Sequence, residues 1–201
     1  MTQHVSPEAA ASRQPEHELL PLFLNRWSPR SFQDKPVPDE LVLRAFEAAR
    51  WAPSSGNSQP WRYVIARTPE DREKFLSFIN ESNAEWCRKA PVLAVLFAGQ
   101  VNANGSPNHW GGFDAGTSWG YFALHATALG LHAHAMAGFD RNKAKAVLQA
   151  PEDFEAMAVI ALGYRGDKEQ LSERNREREQ PSSRKPLKET LFEGVFGQSV
   201  Q

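Results

Sequence analysis

Two uninterrupted apolar runs constrain this chain more than anything else in it. Val92-Leu93-Ala94-Val95-Leu96-Phe97-Ala98 has no polar side chain, and Met157-Ala158-Val159-Ile160-Ala161-Leu162-Gly163-Tyr164 has only a terminal hydroxyl. A run without alternation predicts a strand buried on both faces. Such strands need helices on either side, and the chain supplies them. Asp39 to Trp51 predicts a helix, with Pro38, Asp39 and Glu40 suited to its first turn and Pro53 to stop it. Its Leu41, Ala45 and Ala48, with Val42, Phe46 and Ala49, form a wide apolar face. Asp114 to Leu129 predicts the most apolar helix, where Gly116, Gly120, Ala123 and Ala126 would let another helix or a second copy come close.

The remaining elements are shorter. Trp61 to Arg67 alternates with the period of a strand, and His132 to Met136 predicts another. Thr68-Pro69-Glu70-Asp71 carries a hydroxyl cap and a first-turn proline, and Asp140 caps a helix reaching Gln149. Brief helices are expected over Glu18 to Arg26 and around Trp86. The mixture predicts an α+β layered domain over residues 17–201, without repeats or a dividing linker. Residues 1–16, polar and Ala-rich, are expected to form a flexible tail. Arg165 to Arg184 is dense in mixed charge and predicts a surface wrap, after which the apolar residues of Leu187 to Phe196 must dock somewhere.

Composition removes several function classes. The net charge of −1 supplies no field for nucleic acid or anionic lipid. The lone cysteine, Cys87, excludes an intrachain disulfide and fits a reducing compartment. No run is long enough to span a bilayer and the N-terminus lacks a signal peptide's apolar core, so a cytoplasmic protein without membrane or nucleic-acid partners is expected. Neither the Gly-x-Gly-x-x-Gly fingerprint nor the Walker A pattern occurs.

Chemistry concentrates in two segments. Arg26-Trp27-Ser28-Pro29-Arg30-Ser31-Phe32 places two guanidinium groups and two hydroxyls at a helix end, a composition suited to a phosphate, with Arg26 as a bidentate donor. Ala52 to Trp61 is a turn-forming stretch containing Pro53, Ser54, Ser55, Asn57 and Gln59. It is longer than a plain turn requires and can present amides and hydroxyls to a flat polar ligand.

These segments resemble the nitroreductase family. The Arg-x-Ser-x-Arg-x-Phe pattern appears as Arg26, Ser28, Arg30 and Phe32, and Pro-Ser-Ser-x-Asn-x-Gln-Pro-Trp as Pro53 to Trp61. Further matches, in order, are Asn83-Ala84-Glu85-Trp86 with Ala90-Pro91-Val92-Leu93, Asp114-Ala115-Gly116, Ala128-Leu129-Gly130-Leu131, Gly138-Phe139-Asp140 and Arg184-Lys185-Pro186-Leu187. The resemblance implies a nitroreductase-like fold: a mixed central sheet flanked by helices, in an intertwined homodimer that exchanges C-terminal arms. It implies FMN as cofactor and NADH or NADPH as transient reductant. It further implies that hydride passes through flavin N5 to a nitroaromatic, quinone or similar small acceptor in a ping-pong cycle.

By the same resemblance, Arg26 and Ser28, which flank Trp27, lie at the phosphate and ribityl chain. Arg30 lies near the pyrimidine end, where its charge favours ring reduction. Pro53, Ser54, Ser55 and Asn57 reach a flavin held mainly by the other subunit. Asn83 contacts the ring and Asp114 faces the pocket. Met136, Ala137 and Gly138 form the strand end that offers a backbone N–H, at Ala137 or Gly138, to N5. Arg184 is a second phosphate ligand, with Ser182 where relatives usually carry a base. No catalytic side chain and no metal site are expected.

Read alone, Asn83 also suits a helix cap and Asp114 an N-cap. His132 and His134 share a strand face, but no cysteine or carboxylate completes a zinc set with them or with His125. Cys87 reads as an inert thiol. His109 and Trp110 precede Asp114 and suit the mouth of a substrate pocket as well as an ordinary loop. Two other readings of the same residues are a flavin-binding module with little turnover and a flavin-fragmenting or dehalogenating relative.

Overall fold

The computed structural model describes residues 4–200. Among these residues eight α-helices and four strands follow in chain order: α1 (Pro7–Ser12), α2 (Pro21–Asn25), α3 (Asp39–Arg50), β1 (Trp61–Ala66), α4 (Pro69–Leu76), α5 (Glu81–Cys87), β2 (Val92–Gly99), α6 (Gly111–Ala128), β3 (His132–Met136), α7 (Arg141–Val147), β4 (Phe154–Gly163) and α8 (Glu173–Glu177).

The strands form one sheet in the order β1-β2-β4-β3, and every neighbouring pair is antiparallel. The expected mixed sheet is thus corrected to an antiparallel one among the described residues. The physical reason is the connectivity: β2 follows β1 and β4 follows β3 as antiparallel neighbours, while the α6 crossover leaves β2 and β3, which run the same way, separated by β4. β2 and β4 are central, which is where the two apolar runs belong.

β2 is buried at every residue. Its Leu93, Val95 and Phe97 join one core layer with Phe32, Phe75, Trp86 and Val159. Its Val92, Ala94, Leu96 and Ala98 join the other with Val42, Ala49, Phe122 and Ile160. The strict alternation along β2 therefore splits one strand between two cores. α4, α5 and α7 belong to the first layer, and α3 and α6 cover the second.

Local signals explain most boundaries. Thr68 caps α4 by accepting from the Asp71 amide, with Pro69 at its start, and Asp140 caps α7 by accepting from Lys143. α6 starts at Gly111, three residues before Asp114. A Cβ on Gly111 would lie 2.3 Å from the carbonyl oxygen of Gly99, so only glycine lets the helix begin against the end of β2.

The N-terminus departs from the expected loose tail. Ser6 caps α1 through the Ala9 amide, Pro7 opens it, and Ala9 is fully buried. The Asn25 side chain accepts from the Ser6 amide and donates to the His4 carbonyl. Glu8 pairs with Arg165. Residues 4–13 are thereby docked, through a Ser-Pro-Glu capping signal hidden in an Ala-rich composition. Residues 1–3 of the expected tail and Gln201 at the end of the expected domain lie outside the described residues.

Candidate functional site

The Arg26–Phe32 segment is fixed from both sides. Arg26 is the C-cap of α2. Phe32 is buried and bridges Arg165, just past β4, while the Gly166 amide donates to the Ser31 carbonyl at 2.9 Å. The carboxylate of Glu179, only 3% exposed, accepts the backbone amides of Arg30 at 2.7 Å and Ser31 at 3.1 Å. Glu179 also lies 3.9 Å from Arg165, whose guanidinium sits 4.7 Å from the centre of the buried Trp27 ring. A buried carboxylate is tolerated only with such partners.

This clamp brings the N-terminal arginine segment against the charged stretch near the C-terminus. A cavity of about 730 Å³ opens between them. Arg26, Trp27, Ser28, Arg30 and Arg184 all line it, so five predicted site residues share one wall system. Arg13, His134 and Arg178, which sequence reasoning left out of the site, line it too. Arg13 carried no local signal: only the docking of α1 delivers it.

Positive charges crowd this cavity. Burial and the neighbouring Arg184 guanidinium pull the Arg26 pKa below its ordinary value. Burial and Arg178 do the same to Arg30, against an opposing pull from Glu179. Like charges held close in a partly dry site cost free energy unless something neutralises them. Among the described residues, none of Arg13, Arg26, Arg30 and Arg184 forms a salt bridge. Glu177, the cavity's one acidic lining residue, is exposed.

A second cavity of about 410 Å³ shares Arg26 and Ser28 with the first. Its other walls are mostly apolar or small: Phe23, Trp119, Gly120, Ala123, Leu124 and Ala135. An anion-attracting chamber and an apolar shelf therefore meet at Arg26 and Ser28. Trp119 and Ala135 were not predicted here. They sit on α6 and β3 among residues that read simply as core.

The remaining predicted residues form two other groupings. Asn83 donates from its side chain to the Gly138 carbonyl at 3.1 Å, tying α5 to the end of β3. It is not the cap of α5, a position held by Asn80. A Cβ on Gly138 would lie 2.5 Å from the Asn83 amide nitrogen, so a larger residue there would push that side chain from its place against the strand end. Met136 is buried and Ala137 exposed, which leaves backbone at that strand end open.

Asp114 likewise is not an N-cap, because α6 begins earlier. Its buried carboxylate accepts the Ser55 amide at 3.1 Å and so anchors the Pro53–Gln59 loop. In that loop Pro53, Ser55 and Asn57 are exposed and Ser54 is half-buried. None of these four lines either cavity.

His134 shares its Nδ1 with the Pro29 carbonyl at 2.9 Å and packs on Trp86. Burial pushes both His132 and His134 down to about 4, so they stay neutral near pH 7. No group of three or more potential metal ligands occurs among the described residues. Burial raises the Cys87 thiol to about 12, in keeping with an inert side chain. Among the described residues no helix is long and apolar enough to cross a membrane.

Comparison with known proteins gives this arrangement a family. The model described as the nitroreductase family matches residues 24–86 and 78–164, the span that carries both arginine segment and loop. The chain belongs to the nitroreductase family.

A Streptomyces coelicolor protein provisionally named NADH dehydrogenase/NAD(P)H nitroreductase is 32% identical over 163 residues, covering 71% of this chain and 81% of that protein. A Thermus thermophilus protein named NADH dehydrogenase is 30% identical over 174 residues, covering 70% and 83%. Among solved structures, one described as an oxidoreductase containing FMN superposes with a TM-score of 0.88 at 40% identity, over 93% of this chain and 97% of that one. A Desulfovibrio desulfuricans protein, provisionally described as a nitroreductase in complex with FMN, gives 0.67 at 28% identity, over 87% and 95%.

Proposed function

We propose that this nitroreductase-family chain is an FMN-dependent oxidoreductase that takes reducing equivalents from NADH or NADPH and passes them to a small acceptor such as a nitroaromatic or a quinone. The observation that carries the reading is the arginine-lined cavity opening onto an apolar shelf at Arg26 and Ser28. FMN has the matching shape, a dianionic head joined through a polar chain to a flat ring. Arg26 and Arg184 would hold the phosphate, Ser28 the chain and Arg30 the ring's electron-rich edge. The similarity to an oxidoreductase containing FMN and to proteins named NADH dehydrogenase supports the same assignment.

When bound, FMN supplies reversible two-electron chemistry. The chain's own residues bind, orient and tune. Arg30, without a salt bridge among the described residues, would bring positive charge toward the ring and favour its reduced, more anionic state. The strand end at Ala137 and Gly138 would supply a main-chain donor, with Gly138 held in place by Asn83. No side chain is assigned proton transfer or nucleophilic work.

The working form in this reading is a homodimer with exchanged C-terminal arms, in which the Pro53–Gln59 loop completes the partner's site. Leu191, Val195 and Phe196 are exposed here, Phe196 at 95%, and so are Phe113 and Trp51. On α6, Cβ atoms at Gly116 and Gly120 would meet nothing within 4 Å, which leaves room for a second backbone.

The test begins with the visible spectrum of purified protein with and without added FMN, alongside its mass by analytical ultracentrifugation. Steady-state oxidation of NADH and NADPH with menadione and with a nitroaromatic follows. A flavin spectrum, a dimer mass and acceptor-dependent turnover are expected. A colourless monomer that takes up no FMN would overturn the reading. A flavoprotein without turnover would reduce it to a binding module.

A further inference from the structure

Arg13 combines burial with like-charged neighbours. It is 8% exposed, yet the charges that bear on it are those of Arg184 and Arg26, both of its own sign. Three of its hydrogen bonds go to carbonyls. Nε donates to Ser182 at 3.0 Å, and Nη1 donates to Leu24 and to Arg26, each at 2.7 Å. Nη2 has no acceptor among the described residues, and Arg13 lines the cavity together with Arg26 and Arg184. Burial and the two neighbouring guanidinium groups pull its pKa to about 10.

Carbonyl dipoles orient a guanidinium but do not neutralise it. Three like charges gathered on one wall are an arrangement that favours a multivalent anion. The same contacts make Arg13 a hinge pin. It joins the end of α1 to the end of α2 and to Ser182 in the C-terminal stretch, so a shift of α1 moves a cavity wall.

We propose that Arg13 binds the phosphate of the ligand alongside Arg26 and Arg184, so that occupation of the cavity and docking of residues 4–13 are one coupled event. The inference rests on the FMN reading above. An anion there removes the mutual repulsion that otherwise works against α1 docking, and by reciprocity a docked α1 tightens the anion. Ser6, Glu8 and Asn25 hold the segment independently, so it is biased toward docking before any ligand arrives.

Riboflavin, which shares the ring but lacks the phosphate, separates the roles. FMN and riboflavin are titrated into wild type, Arg13→Met and Arg13→Lys, with flavin fluorescence as the readout. In the Met variant FMN affinity is expected to fall by about tenfold or more and riboflavin affinity by less than about twofold, with Lys intermediate for FMN. Equal weakening of both flavins would mark Arg13 as a structural strut and overturn the proposal, as would no change in either.

Hydrogen exchange on wild type removes dependence on the variants' folding. At matched saturation, amides of residues 8–13 should exchange more slowly with FMN than with riboflavin. Identical exchange would overturn the coupling. Wild type that binds FMN with Arg13 irrelevant sinks this inference alone, whereas wild type that binds no FMN sinks the reading beneath it.

Discussion

The arginine-lined cavity and the Pro53–Gln59 loop differ in how much of their geometry one chain can determine. Around the cavity, segments from residue 13, residues 26–30 and residues 178–184 converge, and the buried Glu179 carboxylate locks the backbone between them. The loop has few such restraints. It is tied by Asp114 to the Ser55 amide and by the Ser54 hydroxyl to the Gln59 amide at 3.0 Å. Gly56, Asn57 and Gln59 all have positive φ, at 55°, 55° and 46°. A backbone in that region, exposed and carrying non-glycine residues, is held ready at a cost of about 1 kcal/mol per residue. The comparison teaches that contacts within one chain fix the arginine-lined cavity far more closely than they fix the exposed loop.

Breaking the clamp should have the largest effect. Glu179→Ala leaves the Arg30 and Ser31 amides without their acceptor and Arg165 with Glu8 as its remaining carboxylate partner, and should lower stability by about 3 kcal/mol in urea unfolding. An unchanged midpoint would mean that the cavity's walls are independently stable. Next, Arg26→Ala should weaken FMN binding by about 1.5–3 kcal/mol with little change in melting temperature. Equal FMN retention in variant and wild type would remove the cavity from the site.

Acidification probes the two buried histidines of β3, of which His134 lines the cavity. His132 and His134 titrate near 6.5 when unfolded and near 4 when folded. Between those values the unfolded chain binds more protons, so stability is full above about pH 6.5 and falls as pH drops toward 4. Each histidine should contribute on the order of 2 kcal/mol to that loss, and His134→Gln should shrink the difference between melting points at pH 7 and pH 4.5. A pH dependence identical to wild type would contradict the burial.

The smallest effect belongs to the loop. Gln59→Gly relieves its positive φ and should change folding stability by under about 1 kcal/mol while raising the loop's susceptibility to proteolysis. A larger stability change would show that the loop is as determined as the cavity.

Legibility followed the same division. The strands β2 and β4 could be read directly because burial on both faces leaves an unmistakable unbroken run, and Thr68 and Asp140 announced their helices through local capping. The strand directions could not be read, since antiparallel and mixed sheets bury the same residues. α1 was hidden by composition although Ser6, Pro7 and Glu8 spelled a helix start. Arg26, Ser28, Arg30 and Arg184 were visible as candidates because a motif carried them. Arg13 and Arg178 were not, because their place depends on where distant segments meet. Asp114 and Asn83 were seen as polar positions of interest, but their partners, an amide at 55 and a carbonyl at 138, are matters of tertiary geometry alone.

The start of α6 rests on the last carbonyl of β2, with no side chain between Gly111 and Gly99. Asp114 stands one turn further on and grips Ser55. The sheet thus acts as a gauge block for the loop: its end sets the helix's height, and the helix sets the height of the amide it carries. A methyl group at position 111 would register not at its own location but as a displaced Pro53–Gln59 loop on the far side of the helix's first turn.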